Sequence, residues 1–292
     1  MRLPFYLQES FKERAERITL YAAILSFVLH LLLILLQQFG WVDFGREEAL
    51  LSNPISAIYT PFSFILIYEV YLLVFYLPRS ITTYIAKQYE IITLIIIRRL
   101  FKDLGQIELS SNWFQISYDT QFTVDLLTSV CLFGLLFLFY RTAGTKAISS
   151  ELPADASNGL KRFIRTKEIF SSILVPVIGI LAVISLGQWI RETTYMGREA
   201  IADIKDVNNV FFDQFFTLLI IADVILLLVS FLNTDRFHKV IRNSGFIIST
   251  ILIRLSFGVE GYLNDVLVVV AILYGLGVLW IHNLFEDRLK RE

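Results

Sequence analysis

The sequence YLPRSITTYIAKQYEIITLIIIRR at residues 76–99 aligns without gaps on FLNTDRFHKVIRNSGFIISTILIR at residues 231–254. Both stretches mix apolar and polar residues at helical spacing, and the alignment matches Arg99 to Arg254. Self-similarity at a long period is a primary clue to architecture. The two stretches therefore suggest that the chain contains two copies of one helical unit.

Acidic residues outside these stretches recur at matching places. Upstream, IYEVYLLV and IADVILLL place Glu69 opposite Asp223, and downstream, FTVDLL and YLNDVL place Asp125 opposite Asp265. Apolar helices resemble one another by chance, and the register shifts between these blocks. Chance explains the recurring acidic residues poorly, so we expect an internal duplication.

The composition is that of a membrane protein. Of 292 residues, 55% are hydrophobic and 14% aromatic, with a mean hydropathy of +0.62, which is more apolar surface than one soluble core can bury. The net charge of -1 provides no basic surface for nucleic acid. A single cysteine, Cys131, excludes a disulfide framework within one chain.

Eight segments are candidates for membrane-spanning helices, which need about 20 mostly apolar residues. They are 18–38, 54–78, 82–101, 122–141, 168–190, 210–232, 243–258 and 262–284, of which 82–101 and 243–258 are weaker. With eight spans and both termini inside, eighteen Lys and Arg residues lie on the cytoplasmic side and seven outside. With six spans the split is fifteen to ten. The positive-inside rule therefore favours eight spans over six.

These observations predict an all-α polytopic membrane protein with eight transmembrane helices in two tandem four-helix bundles. The units would be residues 1–141 and 168–292, joined by a cytoplasmic linker at 142–167. An even number of spans per unit makes the copies a parallel repeat. The N-terminus lacks the pattern of a cleaved signal, so we expect the first hydrophobic segment to stay in the mature protein. We expect an integral protein of the bacterial inner membrane, and the positive-inside count places both termini in the cytoplasm.

Buried charges are the candidate functional residues, because a charge at mid-bilayer costs about 2.5–3.5 kcal/mol and needs a partner. Asp223 and Arg254 lie at similar depths in helices 6 and 7, roughly 15 Å from the inner ends at 1.5 Å per residue. We therefore predict an ion pair between them. Such a pair serves either to fix helix register or to gate an ion.

Glu69, Lys87 and Glu90 are predicted to form a second cluster in the cytoplasmic half. Lys87 and Glu90 are three residues apart, so they share one face of helix 3. Three charges exceed what one structural pair requires. The cluster is therefore either structural or part of an ion pathway.

Three further residues are candidates. Asp125 and Asp265 begin helices 4 and 8, where they serve either as helix-start residues favoured by the dipole or as ionised groups near water. His30, midway along helix 1, is either a proton relay or a hydrogen-bonded core residue.

The run FILIYEVYLLVFYLP at 64–78 resembles the second helix of a voltage-sensor domain, with Tyr68 before Glu69 and with Glu90 at the position of an acidic residue in the third helix. The resemblance implies four-helix units that belong to the ion-channel superfamily. The fourth helix of that family carries arginines at every third residue, whereas 122–141 has only Arg141. The resemblance therefore does not imply voltage gating.

Motifs for other chemistry are absent from the sequence, which has no HExxH, GxSxG, P-loop or GxGxxG. We therefore expect no enzyme activity, no cofactor and no metal. The leading hypothesis is a cation or proton channel or transporter subunit that uses the buried charges. The alternative is a non-catalytic scaffold or assembly subunit of a larger membrane complex. Expected partners are the lipid bilayer and either a second copy or another membrane protein.

Overall fold

A computed structural model describes residues 4–41, 57, 59–104, 117–148, 164–177, 179–181, 184, 207–233, 237–259, 261–289 and 291. Within these residues the chain is almost entirely helical and contains no strand. A short 3-10 turn, Phe5–Leu7, precedes the first helix. The all-α fold class is therefore confirmed for the described part of the chain.

The described residues form eight α-helices. They are α1 (Glu9–Gln38), α2 (Tyr59–Tyr76), α3 (Ile81–Leu104), α4 (Ser117–Ile148), α5 (164–177), α6 (Val207–Asn233), α7 (Phe237–Ser256) and α8 (Tyr262–Leu289). Inside α4, Gly144 adopts a φ of 69°, which bends the helix. The predicted linker at 142–167 is thus helical at both ends, and its residues 149–163 lie outside the described residues.

Within the described residues, three helical segments are long and apolar enough to cross a membrane. They are Glu9–Gln38, Asp119–Gly144 and Tyr262–Leu289. Thr60–Tyr76 and Thr217–Val229 are shorter apolar helices. The length and composition of three helices therefore agree with the membrane protein that the sequence predicts, and the number of eight spans stays a prediction.

The start of α3 follows from its local sequence. Pro78 lies just after the end of α2, and Ser80 is the N-cap residue of α3. The Ser80 hydroxyl accepts a hydrogen bond from the Thr83 amide at 3.1 Å, which satisfies one of the free N–H groups of the first turn. This cap fixes where the most polar helix of the molecule begins.

One continuous apolar core joins both predicted units. Along the sequence, α1 packs on α2, α2 on α3, α3 on α4, α6 on α7 and α7 on α8. Between the units, α4 packs on α8 and α3 contacts α7. Tyr89, Phe139 and Phe246, from α3, α4 and α7, are fully buried in a contiguous aromatic group at the centre. The helices that meet between the units are therefore those that the alignment makes equivalent.

Glycines in α7 and α8 allow close packing at this centre. The Tyr89 hydroxyl lies 2.6 Å from the Ser249 hydroxyl, which donates to the Ala271 carbonyl on α8. A Cβ atom on Gly275 would lie 1.8 Å from the Tyr89 hydroxyl oxygen, and one on Gly245 would lie 2.8 Å from Val278. Only glycine at 275 leaves room for this contact among three helices.

The N-terminal turn bridges the two predicted units. The Tyr6 hydroxyl donates to the Ser172 carbonyl on α5 at 2.8 Å. The Tyr71 hydroxyl on α2 donates to the Tyr6 carbonyl at 2.7 Å. We call Tyr6, Tyr71 and Ser172 the N-terminal clasp.

Candidate functional site

Polar and ionisable side chains follow α3 along most of its length. They are Tyr84, Lys87, Gln88, Tyr89, Glu90, Thr93, Arg98 and Arg99, and we call them the α3 polar series. At 1.5 Å per residue the distance from Tyr84 to Arg99 is about 22 Å. For comparison, the hydrocarbon core of a bilayer is about 30 Å thick.

Asp223 of α6 is held by the beginning of this series. The Tyr84 hydroxyl donates to its Oδ1 at 2.9 Å, and Gln88 Nε2 makes a longer contact of 3.4 Å with its Oδ2. The Asp223 residue is only 4% exposed. The carboxyl group is therefore buried against two neutral hydrogen-bond donors.

The predicted ion pair between Asp223 and Arg254 is wrong. Asp223 shares a cavity with Asn243 of α7, whereas Arg254 lies about three helical turns further along α7, or about 16 Å. The depth estimate failed because it measured each residue from the end of its own helix and assumed that these ends are level.

Lys167 of α5 lines the same cavity as Asp223 and interacts with its charge. Its ammonium donates to the Arg79 carbonyl at 2.9 Å, and the residue is 3% exposed. Burial lowers the pKa of Lys167 to about 8, and the charge of Arg242 acts in the same direction, whereas the Asp223 carboxylate opposes them. Lys167 therefore changes its charge near neutral pH.

Lys87 and Glu90 form the pair that their spacing predicts, with Lys87 Nζ 2.7 Å from Glu90 Oε2. The Tyr140 hydroxyl of α4 donates to the other oxygen of Glu90. The Lys87 ammonium also lies over the Tyr76 ring, 5.3 Å from its centroid. These contacts hold α2, α3 and α4 together at one end of the bundle.

Glu69 does not join Lys87 and Glu90, so that part of the predicted cluster is wrong. It forms an ion pair with Arg98, near the other end of α3. Arg98 Nη1 also donates to the Phe62 carbonyl at 3.3 Å. Both residues are buried, with exposures of 4% and 9%. Because α2 and α3 are antiparallel neighbours, a glutamate midway along α2 can reach the distal half of α3.

Arg99 is the centre of a cluster that joins both predicted units. Its Nε and Nη2 donate to the two oxygens of Asp125 at 2.7 Å each, and Nη2 also pairs with Asp265. Asn264 accepts from Nη1 at 2.9 Å, and Gln121 donates to both aspartates at 2.8 and 3.2 Å. We call these five residues the Arg99 cluster. The two aspartates that the alignment makes equivalent thus meet at one arginine.

His30 lies against α2, where its Nδ1 forms a hydrogen bond with the Thr60 hydroxyl. This contact joins α1 to α2. Of the two predicted roles, proton relay and hydrogen-bonded core residue, this geometry fits the second.

Two histidines that the sequence analysis did not connect lie together at the ends of α7 and α8. The rings of His238 and His282 stack with centroids 5.2 Å apart. Arg242 Nη1 lies 3.1 Å from His282 Nε2, and its other nitrogens donate to Asn243. Arg242 thus links the histidine pair to the side of Asn243 that borders the Asp223 cavity.

Sequence reasoning missed Arg98, Arg99 and Lys167 as site residues. A signal for Arg99 was present, because Asp125 and Asp265 required a basic partner near the same end of their helices. No local pattern indicated Lys167, because it lies in the charged stretch that the sequence analysis assigned to a solvent-exposed linker. Its burial results from the packing of α5 in the folded protein.

No family model, curated protein or solved structure matches this chain.

Proposed function

We propose that the protein is an integral membrane ion channel or transporter subunit, in which α3 and its partners form the path of a cation or proton. The observation that supports this most directly is the α3 polar series. It places ionisable groups at several depths over about 22 Å of one central helix. Buried ionisable residues in membrane helices are rare, and they commonly mark ion pathways and proton relays.

The contacts of the series support a path rather than one structural lock. A single ion pair is enough to fix the register of two helices, whereas α3 has separate contacts with Asp223, Glu69 and the Arg99 cluster. Between them lies the Tyr89 contact with Ser249. Polar contacts therefore occur at both ends of α3 and near its middle.

The proposed topology has eight membrane-spanning helices in two tandem units, with both termini in the cytoplasm of a bacterial cell. Single-cysteine labelling tests it, because the natural Cys131 can be replaced by serine without leaving another thiol. Cysteines at residues 3 and 291 should react only with reagents that reach the cytoplasm. Labelling of either terminus from outside would contradict this topology.

Flux through purified protein in vesicles tests the function itself. Glu69→Gln and Asp223→Asn remove one buried negative charge each, so we expect both to change the flux of protons or monovalent cations by about tenfold or more. Glu13→Gln is the matched control, because Glu13 is an exposed carboxylate on α1. Flux that is equal in the wild type, in both variants and in the control would overturn the proposal.

Voltage gating is not part of the proposed function, because segment 122–141 has only Arg141. Two arginines of α3, Arg98 and Arg99, are paired with Glu69 and with Asp125 and Asp265. Moving such charges through the field would require breaking buried ion pairs. We also propose no catalytic activity for this site.

A membrane scaffold is the second candidate function, and the surface of α1 favours it. Only 11% of the most apolar window of Glu9–Gln38 is buried, and α1 packs mainly against α2 and the N-terminal turn among the described elements. A helix of a partner protein could cover this surface in place of lipid. If the wild type shows no ion flux and the variants of the buried charges lose stability, the scaffold is favoured over the channel or transporter.

A further inference from the structure

A small cavity lies where α3, α5, α6 and α7 meet. Its volume is about 30 Å³, and its polar lining consists of Tyr84, Lys167, Asp223 and Asn243, with isoleucine and leucine around the rest. A space of this size holds about one water molecule when polar partners surround it. The cavity therefore offers a place where water can contact both Lys167 and Asp223.

The cavity brings a buried acid and a buried base together without a direct ion pair. Asp223 accepts hydrogen bonds from Tyr84 and Gln88, and its Coulombic interaction with Lys167 acts across the cavity. Gln88 Oε1 is buried and has no hydrogen-bond partner, which is a further acceptor for water close to Asp223. A proton can therefore pass between the two groups through one intervening water.

The lining does not suit a metal cation. Divalent cations require about six oxygen ligands, and Asp223 provides the lone carboxylate of this cavity. Its two oxygens already accept hydrogen bonds, and the Lys167 ammonium would repel a cation. Among the described residues, no group of three or more acidic, histidine or cysteine side chains could hold a metal.

Resting on the proposed function, we infer that the ion carried is the proton, and that Lys167 and Asp223 take it up and release it at this cavity. A water in the cavity that carries an extra proton gives it to one oxygen of the Asp223 carboxylate, so that the O–H bond of the hydronium ion breaks, a neutral water remains and the carboxylic acid forms. The proton leaves either to the neutral amine of Lys167, which becomes the ammonium, or back to water. No bond other than O–H and N–H forms or breaks.

The charges around the cavity fit this exchange. Tyr84 and Gln88 face Asp223 from α3, and Arg242 faces Lys167 from α7 beside Asn243. Burial and Arg242 lower the pKa of Lys167 to about 8, so this amine both binds and releases protons near neutral pH. A fully exposed lysine would hold its proton throughout that range.

Proton flux into vesicles that contain a pH-sensitive dye tests the inference, with sodium and potassium flux measured in parallel. Lys167→Arg keeps the charge but does not release a proton. We expect Lys167→Arg and Asp223→Asn each to lower proton flux at least tenfold. Arg165→Gln is the control, because Arg165 is exposed on the same helix, and it should leave proton flux unchanged.

The outcomes separate this inference from the function on which it rests. Wild-type vesicles that pass no ion overturn the proposed function, and the inference with it. A sodium or potassium flux that is independent of the proton gradient and unchanged in Lys167→Arg would overturn the proton inference but leave the proposed function standing. Lys167→Met is a second variant for the case that the Lys167→Arg protein does not fold.

Infrared difference spectra between pH 6 and pH 9 give a readout that does not depend on flux. A carboxyl group that takes up a proton shows a C=O stretching band of the acid form. We expect such a band in the wild type and its loss in Asp223→Asn. An unchanged set of bands in this variant would show that Asp223 does not exchange protons.

Discussion

Arg99 holds two aspartates from different halves of the chain, and its planar guanidinium is what makes this possible. It forms a forked pair with Asp125 while one nitrogen also reaches Asp265. A buried charge whose partner is removed is strongly destabilising, by about 3–5 kcal/mol. Arg99→Gln leaves two buried carboxylates without a cation.

We therefore expect Arg99→Gln to lower the melting temperature of the protein in detergent more than any exposed charge variant. Arg99→Lys keeps the charge but loses the fork, so its effect should be intermediate. Arg141→Gln is the control, since Arg141 is exposed on α4. A melting temperature of Arg99→Lys equal to that of the wild type would mean that the geometry of the fork is irrelevant.

Gly275 is the residue at which one added methyl group should matter most. Its Cβ would overlap the Tyr89 hydroxyl at 1.8 Å, so we expect Gly275→Ala to cost about 1–3 kcal/mol by overpacking. Tyr89→Phe removes the overlapping oxygen, and the double variant should recover part of the loss in a double-mutant cycle. Gly277→Ala is the control, because open space surrounds that position. Additive losses in the double variant would contradict this contact.

The buried amine of Lys167 predicts how stability depends on pH. Its pKa is lowered to about 8 by burial, whereas an exposed lysine has a pKa of 10.5. Between these values the native state binds fewer protons than the unfolded state, so the free energy of unfolding rises with pH. The penalty is fully present below pH 8 and disappears toward pH 10.5, a change of up to about 3 kcal/mol.

Thermal unfolding in detergent at pH values from 7.5 to 10 measures this dependence. We expect the wild type to gain stability over that interval and Lys167→Met to lose most of the gain, since methionine has no proton to release. A wild type and a variant with parallel pH profiles would show that Lys167 is not responsible.

At the scale of the helix, the sequence indicated which segments are helical. It also predicted which two residues of α3, three apart in sequence, form a pair. The Lys87 contact with Glu90 follows from helical spacing alone, because residues at i and i+3 share a face. Contacts between helices were harder to predict. Glu69 with Arg98 and Asp223 with Tyr84 depend on how far one helix slides along another, and helical periodicity contains no information about that offset.

The pattern of apolar residues was also insufficient to predict which charged residues are buried between helices. α5 is described from residue 164, so Lys167 lies in its first turn and is buried by neighbouring helices. A sequence stretch with six basic residues between 141 and 167 reads as a solvated linker. One of those residues lies beside the cavity because α6 and α7 pack against its helix.

At the scale of the whole molecule, two of the contacts between the predicted units are those that an internal two-fold axis would produce. α3 contacts α7 and α4 packs on α8, and these are equivalent helices in the alignment of 76–99 with 231–254 and of Asp125 with Asp265. The Arg99 cluster breaks this symmetry, because Arg254 has no part in it. The duplication itself stays a prediction.

A shared core predicts that neither half is stable alone. Residues 1–148 and 164–292, expressed as separate chains in one cell, should assemble and be purified together through a tag on one of them. Each half expressed alone would expose the buried faces of α3 and α4 or of α7 and α8, so we expect it to be degraded. Arg99→Gln in the first half should weaken the pairing. Halves that accumulate independently would contradict one common core.

The N-terminal clasp has a consequence for how the chain assembles during its synthesis. The Tyr6 hydroxyl needs the Ser172 carbonyl, which is synthesised 166 residues later. Until α5 has been made, the hydrogen bond from Tyr71 is the contact of the clasp that can form. Closure of this turn onto α5 is therefore a late step of biogenesis.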